Sequence, residues 1–310
     1  MPHNVYMASL KTIKAKIRSI QKTGKVTKAM EAVSAAKMRK AQTTAIKGRA
    51  YARAATSILA RVSGSHALQN SPLIATRPAK KALYIVITSD KGLAGALNSA
   101  VLRATSADIA ALGLAAKDVF IVAVGRKTSD FFGKRGFEIS TYHPNTDQIS
   151  SEMIRQIIDA AATRFAAAQV DVVKVAYQNF RSTFEQRPTL RTIFPLSLVE
   201  LERVVEDILP ARGALAEVKD VSRPSVYTIE PSEEEVLSAL LPRLASIFLY
   251  HALLESQASE HSARMVAMKS ATDKAEELQE SLTLKFNKAR QAAITREVSE
   301  ITGGMEAMAA

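Results

Sequence analysis

Residues 9–42 read SLKTIKAKIRSIQKTGKVTKAMEAVSAAKMRKAQ. Leu10, Ile13, Ile17 and Ile20 follow one another at three, four and three residues, the narrow apolar seam of a helix that buries one stripe against a partner helix. Ser9 stands where an N-cap is wanted. Past Gly24 the spacing loosens into Val26, Met30 and Val33, then Ala36, Met38 and Ala41. Gly24 and Gly48 each weaken a helix by about 1 kcal/mol relative to alanine, so slight bends are expected there. No proline falls between Pro2 and Pro72, and none follows Pro242. Because proline breaks helix interiors, both ends of the chain are free to form very long helices and the middle is not.

The second long run begins PSEEEVLSALLPRL at Pro231 and opens with a capping box from Ser232 to Glu235. Pro242 is expected to bend or restart this helix, and Gly303 with Gly304 to dissolve it. A three-four pattern leads from Leu244 and Phe248 through His251, His261, Met265, Thr272 and Leu282 to Ala293. Two complementary seams at opposite ends of one chain imply an antiparallel coiled coil. Helices over 9–63 and 243–301 would be roughly 80 to 90 Å long, against about 40 Å for a domain of some 170 residues. Most of the coiled coil is therefore expected to project from the middle of the chain.

That middle changes period. KALYIVITSD (81–90) and KDVFIVAVG (117–125) read as buried strands, FEISTYH (137–143) as a weaker one, and VDVVKVAYQNF (170–180) and PTLRTIFPLSL (188–198) as two more. Helical stretches at 96–112, 127–136 and 147–168 separate the first four. Strands alternating with helices imply a mostly parallel sheet with both faces covered, while the last two strands are close enough to pair as a hairpin. Residues 199–230 read as an irregular, acidic connector. The expected organisation is an N-terminal coiled-coil helix over 1–66, a Rossmann-like α/β domain with connector over 67–230, and a C-terminal coiled-coil helix over 231–310.

Composition narrows the function. Cysteine is absent among the 310 residues, which excludes disulfides, thiol catalysis, iron–sulfur clusters and cysteine–zinc sites together. Aromatics are 5% and tryptophan is absent, which disfavours an aromatic nucleic-acid platform. No uninterrupted apolar run reaches the roughly 18 residues of a membrane span. The net charge of +12 is concentrated: residues 1–63 hold 14 Lys and Arg against Glu31 alone, for +13, leaving −1 for the rest. Such a segment marks an acidic partner, nucleic acid or an anionic surface; the alternative is a solvated helix face that happens to be basic.

Candidate chemistry is sparse. TSDKGLAGALN (88–98) places glycines where a strand turns into a helix, the position at which doubly wound sheets bind phosphate. It matches neither G-x-G-x-x-G nor G-x-x-x-x-G-K-[ST], and a loop needing only a tight turn and close helix packing has the same composition. The structural reading is favoured. His3, His66, His143, His251 and His261 show no i,i+4 pair and no carboxylate at ligand spacing, so no metal site is expected. His251 and His261 fall on the helical seam and are expected to pack there. No catalytic centre and no cofactor are expected in this chain.

At this point the two ends together resemble a known family, the γ subunit of F-type ATP synthase, the central-stalk rotor. IKAKIRSIQKTGKVTKAMEAVSAAKMRKAQ (13–42) is similar to its basic opening helix, and SDKGLAGALN (89–98) to its [ST]-D-[RK]-G-L-x-G-x-x-N signature. ESQASEHSARMVAMKSATDKAEELQESLTLKFNKARQAAITREVSEI (255–301) resembles the C-terminal helix nearly throughout, and the family's ending departs only where Met305 replaces alanine.

The resemblance implies an antiparallel coiled coil with a Rossmann-type domain at its side, and catalysis in a hexamer of α and β subunits that this chain drives. It implies further partners in the ε subunit and the membrane c-ring, and none in nucleic acid. Carried over by position, Arg290, Gln291, Thr295 and Glu297 would catch β-subunit loops. Met30 and Arg264 would form a coupling region flanked by Lys25 and Lys28, whose charge complements an acidic β loop. The tip would turn in an apolar sleeve, where small residues suit. The implied location is the cytoplasmic side of a bacterial inner membrane, held there through other subunits; the start is Met1 or Met7. The rival reading, a nucleic-acid-binding coiled-coil protein, uses the same basic helix.

Overall fold

The computed structural model describes residues 3–62, 71–197 and 232–309. Helix α1 spans His3–Val62, and the last helix spans Glu233–Ala309. Between them come β1 (Ala82–Ile87), α2 (Leu97–Ala111), β2 (Val119–Val124), α3 (Arg126–Gly133), β3 (Glu138–His143), α4 (Ser151–Ala166), β4 (Val172–Phe180) and β5 (Gln186–Phe194), so the last helix is α5. The connector expected over 199–230 lies outside the described residues. Two compact units divide the chain, one of residues 1–34 with 264–310 and one of residues 35–263.

In the larger unit the strands form one sheet in the order β3-β2-β1-β4-β5. β1 pairs in parallel with both β2 and β4, β2 with β3, and β5 returns antiparallel to β4, as the hairpin reading of the last two strands requires. β1 is buried along its whole length, and its alternate residues serve opposite faces. Leu83, Ile85 and Ile87 join Ile154, Ile158 and Phe165 of α4 and Leu241, Leu244 and Phe248 of α5 in one core layer. Tyr84 and Val86 join Val101 and Ile109 of α2 and Phe132 of α3 in the other. A strand buried on both faces must be apolar throughout, which is why ALYIVI carries no alternation. Its phenol is accommodated by a partner: Tyr84 donates to Asp108 Oδ2 at 2.5 Å, and Lys174 Nζ neutralises the same carboxylate at 2.8 Å. Burial, then that hydrogen bond, pushes the Tyr84 phenol well above its ordinary pKa.

In the smaller unit α1 packs antiparallel on α5. Thr27 Oγ1 lies 2.7 Å from Thr272 Oγ1, and a Cβ at Gly24 would stand 3.5 Å from that of Ala275. Three residues back on one helix corresponds to three forward on the other, which fixes both direction and register. Extended along the seam, that register sets Ile20 opposite Gln279, Ile17 opposite Leu282, Ile13 opposite Phe286 and Leu10 opposite Ala289, all half-buried.

The structure corrects several expectations. α1 begins at His3, so Ser9 lies within the helix and does not start it. Beyond Gly24 the seam keeps strict three-four spacing through Thr27 and Ser34 to Met38 and Ala41, which are buried, while Val26 and Val33 are more than half exposed. Helical geometry outranks side-chain hydrophobicity: once Ile20 faces inward, Gly24 and Thr27 must follow. α5 does not restart at Pro242, since Leu241, Leu244 and Ala245 around it are anchored in the core. Nor does it end at Gly303, continuing to Ala309. The half-made capping box survives, with Glu235 N–H donating to Ser232 Oγ at 3.2 Å. By length and composition one stretch of α5 passes for a membrane span, contrary to the sequence reading, but half of it is buried inside the protein, where it forms the core layer above.

Two glycines separate close approach from permissive spacing. Gly125 adopts φ +96°, and a Cβ there would fall 2.0 Å from Thr88 O. Gly125→Ala should lower stability by about 2 kcal/mol or more, read as the apparent melting temperature of the full chain. Gly24→Ala meets only ordinary contact and should leave that temperature unchanged or raise it, since alanine is favoured in a helix interior by up to about 1 kcal/mol.

Candidate functional site

The carboxyl ends of the strands, where open α/β sheets bind ligands, are filled by the chain itself. Ser89 N–H donates to Asn98 Oδ1 at 2.9 Å, and Asn98 Nδ2 returns a bond to Ser89 Oγ at 2.7 Å. The Asp90 carboxylate accepts from the first N–H of α3, Arg126 N, at 2.8 Å, occupying the place an anion would take at that helix end. Thr128 N–H donates to Thr88 Oγ1 at 3.0 Å beneath Gly125. The glycine-bearing loop therefore spends its polar atoms on turning tightly and on closing over α3.

Above it, α5 crosses the strand ends. Gln257 Nε2 donates to Thr146 O at 2.7 Å, Ser259 Oγ to Gln178 O at 3.2 Å and Ser262 Oγ to Thr183 O at 2.6 Å, all from buried residues of the helix. Three consecutive loop residues form a bracket. Asn145 Nδ2 donates to Thr88 O at the end of β1 (2.8 Å), Thr146 O accepts from α5, and Asp147 Oδ2 accepts from Lys37 Nζ of α1 (2.5 Å) with His261 Nε2 of α5 at 3.5 Å. The hydrogen bond from Lys37 holds the Asp147 carboxyl below its usual pKa, against a smaller opposing effect of burial. His261 is thus packed on the seam as its spacing suggests, and His251 is buried there too. Among the described residues no three His, Asp or Glu side chains gather as a metal-ligand set.

The positions singled out from sequence lie in the two-helix unit. Arg290, Gln291, Thr295 and Glu297 are exposed on neighbouring turns of α5. At 100° per residue Arg290 and Glu297 share one edge, and Gln291 and Thr295 the adjacent one. Lys25 and Lys28 are exposed on α1, Met30 is half-buried, and Arg264 is buried at 8% exposure. Met30 stands level with Lys269, roughly 7.5 Å along the axis from Arg264. The two groups are not brought together: in the observed register Lys25 is level with Lys274, about 24 Å of helix from Arg290.

The structure gives shape to the basic segment read from the sequence and adds an apolar stripe that the sequence reading missed. Lys11, Lys14, Arg18, Lys22 and Lys25 form a continuous exposed stripe on α1, with Val26 and Val33 exposed beside it. Toward the end of α5, Ile294, Val298, Ile301, Met305 and Met308 are each at least half exposed and recur at four, three, four and three residues. The spacing was present in ITREVSEITGGMEAM, but two glycines read as a stop. In the observed register His3 stands level with Arg296, so among the described residues α5 runs without α1 beside it from Glu297 on.

Known proteins are similar along nearly the whole chain. A family model described as ATP synthase matches residues 9–308. The ATP synthase gamma chain of Heliobacterium modesticaldum is 40% identical over 97% of this chain and 100% of the relative, and that of Pelotomaculum thermopropionicum is 39% identical with the same coverage. Among solved structures, a chain of the Euglena gracilis mitochondrial ATP synthase in rotational state 3 superposes with TM-score 0.65 at 18% identity, covering 97% of this chain and 95% of that one. A chain of the Tetrahymena thermophila mitochondrial ATP synthase central stalk and c-ring gives TM-score 0.57 at 23% identity, covering 79% and 99%.

The bracket yields a pH test. A carboxyl whose folded pKa is depressed contributes stability that is complete above its unfolded value, about 4, and disappears as pH falls through the folded value. Asp147 is 56% exposed, so Asp147→Asn should cost less than about 1 kcal/mol at pH 7. The variant should converge on the wild type as pH falls below the ordinary carboxylate range in acid titrations of the full chain followed by circular dichroism.

Proposed function

The chain belongs to the ATP synthase gamma-chain family, and from that premise we propose that it works as the rotating central shaft that couples ion flow through the membrane ring to ATP synthesis at a hexamer of α and β subunits. The observation that carries this reading is the uneven surface of the two-helix unit. Between Lys11 and Lys28 α1 exposes seven cations and no acid, whereas α5 over 273–300 exposes acids and bases together and ends in an apolar stripe. Three equivalent subunits surrounding such a surface cannot all meet it alike. Each orientation favours a different set of their conformations, and the difference in contact energy is the coupling.

Roles follow from chemistry. The Arg290 guanidinium can make bidentate bonds to a carboxylate, strong yet breakable, with Gln291, Thr295 and Glu297 completing a catch for β-subunit loops. Lys25 and Lys28, with Met30 and Arg264 close by, form the coupling region toward an acidic β loop. The exposed valines beside the basic stripe favour a protein partner over nucleic acid, whose affinity comes mainly from phosphate charge. The apolar stripe from Ile294 to Met308 suits a sleeve in which long charged side chains would be desolvated.

Catalysis belongs to the α and β subunits, and the ε subunit and c-ring are the partners at the other end of the shaft. In working terms residues 1–66 and 231–310 supply the shaft helices and 67–230 the domain between them. The complex sits peripherally at the membrane, on the cytoplasmic side in a bacterial cell.

Affinity purification of the full chain from its own cells at moderate salt should recover α, β and ε subunits with ATP hydrolysis. Arg290→Ala should lower that hydrolysis roughly tenfold, the equivalent of one charge-assisted hydrogen bond. Recovery of the chain alone or with nucleic acid would overturn the reading.

A further inference from the structure

We propose that the hydroxyl pair Thr27–Thr272 is the register pin of the two-helix unit, setting the axial stagger of α1 against α5. Both threonines are buried at seam positions, at 8% and 6% exposure. Thr272 Oγ1 donates back to Met268 O at 2.9 Å, which leaves its lone pairs for the Thr27 hydroxyl at 2.7 Å. The one Thr27 proton has two acceptors in reach, Thr272 Oγ1 at 2.7 Å and Gly24 O of its own helix at 3.1 Å, and the shorter contact joins the helices. One turn away the facing residues, Gly24 and Ala275, are small as well, with 3.5 Å between Ala275 Cβ and a Cβ placed at Gly24.

The apolar part of the seam cannot supply this information. A slip of one heptad that sets Ile13, Ile17 and Ile20 opposite Ala293, Ala289 and Phe286 still gives all three hydrocarbon to meet. The threonines discriminate. A slip in one direction sets Thr27 against Met265 and Thr272 against Ile20, hydroxyl against hydrocarbon. A slip in the other sets Gly24 against Leu282 and lays Gln279 over Thr27, undoing the close approach. A polar group at one seam position is an established way of selecting register at some expense in stability. Here the stagger determines how far the basic stripe of α1 stands from the Arg290 turn, and the consequence for coupling rests on the shaft reading; the pin itself does not.

The chain has no cysteine, so engineered disulfides report register cleanly. In the assembled complex, Gly24→Cys with Ala275→Cys reports the observed register, its Cβ separation suiting a disulfide. Gly24→Cys with Met268→Cys reports a slip of one heptad. With both threonines present only the first pair should close on mild oxidation. Adding Thr27→Val and Thr272→Val should raise the slipped product about fivefold or more, as expected for one buried hydrogen bond. Thr27→Ser with Thr272→Ser, which keeps the hydroxyls, should not.

ATP-driven ion pumping per ATP hydrolysed should fall in the valine complex alone. Slipped product that stays equally low with valines, or that rises equally with serines, overturns the pin. So does a valine complex that loses helicity without slipping. A register shift with unchanged pumping would uphold the pin and count against the shaft reading.

Discussion

Burial along α5 falls in steps, and that gradation governs everything else. From Leu244 to Ser262 the helix is enclosed almost all round, from Met265 to Ala293 it hides one stripe, and beyond Ile294 it hides nothing among the described side chains. A helix enclosed on all sides must be apolar or small, whereas one that pairs along a seam needs only a three-four repeat. One continuous helix therefore serves as a core element, a coiled-coil strand and a bare tip, and each stretch of its sequence follows the rule of its surroundings.

The enclosed stretch explains why a fold associated with nucleotide binding has become a mount for helices. Strand ends in a doubly wound sheet leave backbone carbonyls and N–H groups without partners. Here Gln257, Ser259 and Ser262 of α5 take up carbonyls of the surrounding loops and β4, while Asn98 takes up the N–H of Ser89 and Asp90 the first N–H of α3. Buried polar atoms must find partners, and whichever element supplies them is held in one orientation. Asn145, Thr146 and Asp147 extend this to three elements at once, with neutral bonds to β1 and α5 and a charged one to α1.

In the two-helix unit, function is written on the outside of a simple seam. The inward residues decide direction and stagger. The outward ones, basic on α1 and mixed then apolar on α5, decide what can be met at each height. Coupling by rotation requires this separation, since a shaft must keep its own pairing while its contacts with surrounding subunits form and break.

By itself the sequence determined the long terminal helices, the alternation of strands and helices, the closing hairpin and the seam from Met265 to Ala293, because helical and strand periods and the absence of proline are local properties of the chain. The residues of the proposed catch and coupling region rest on the resemblance of their motifs alone. Strand order, the capping of α3 by Asp90 from 36 residues away, and the bracket around Asp147 were not legible, since each joins residues dozens of positions apart and no local pattern encodes which will meet.

The stretch from Gly24 to Ser34 shows the boundary between the two. Hydrophobicity pointed to Val26 and Val33, yet tertiary packing turned Thr27 and Ser34 inward. Phase along a helix is inherited from the strongest contacts on either side, and a buried hydroxyl becomes favourable only when the partner helix brings another to meet it.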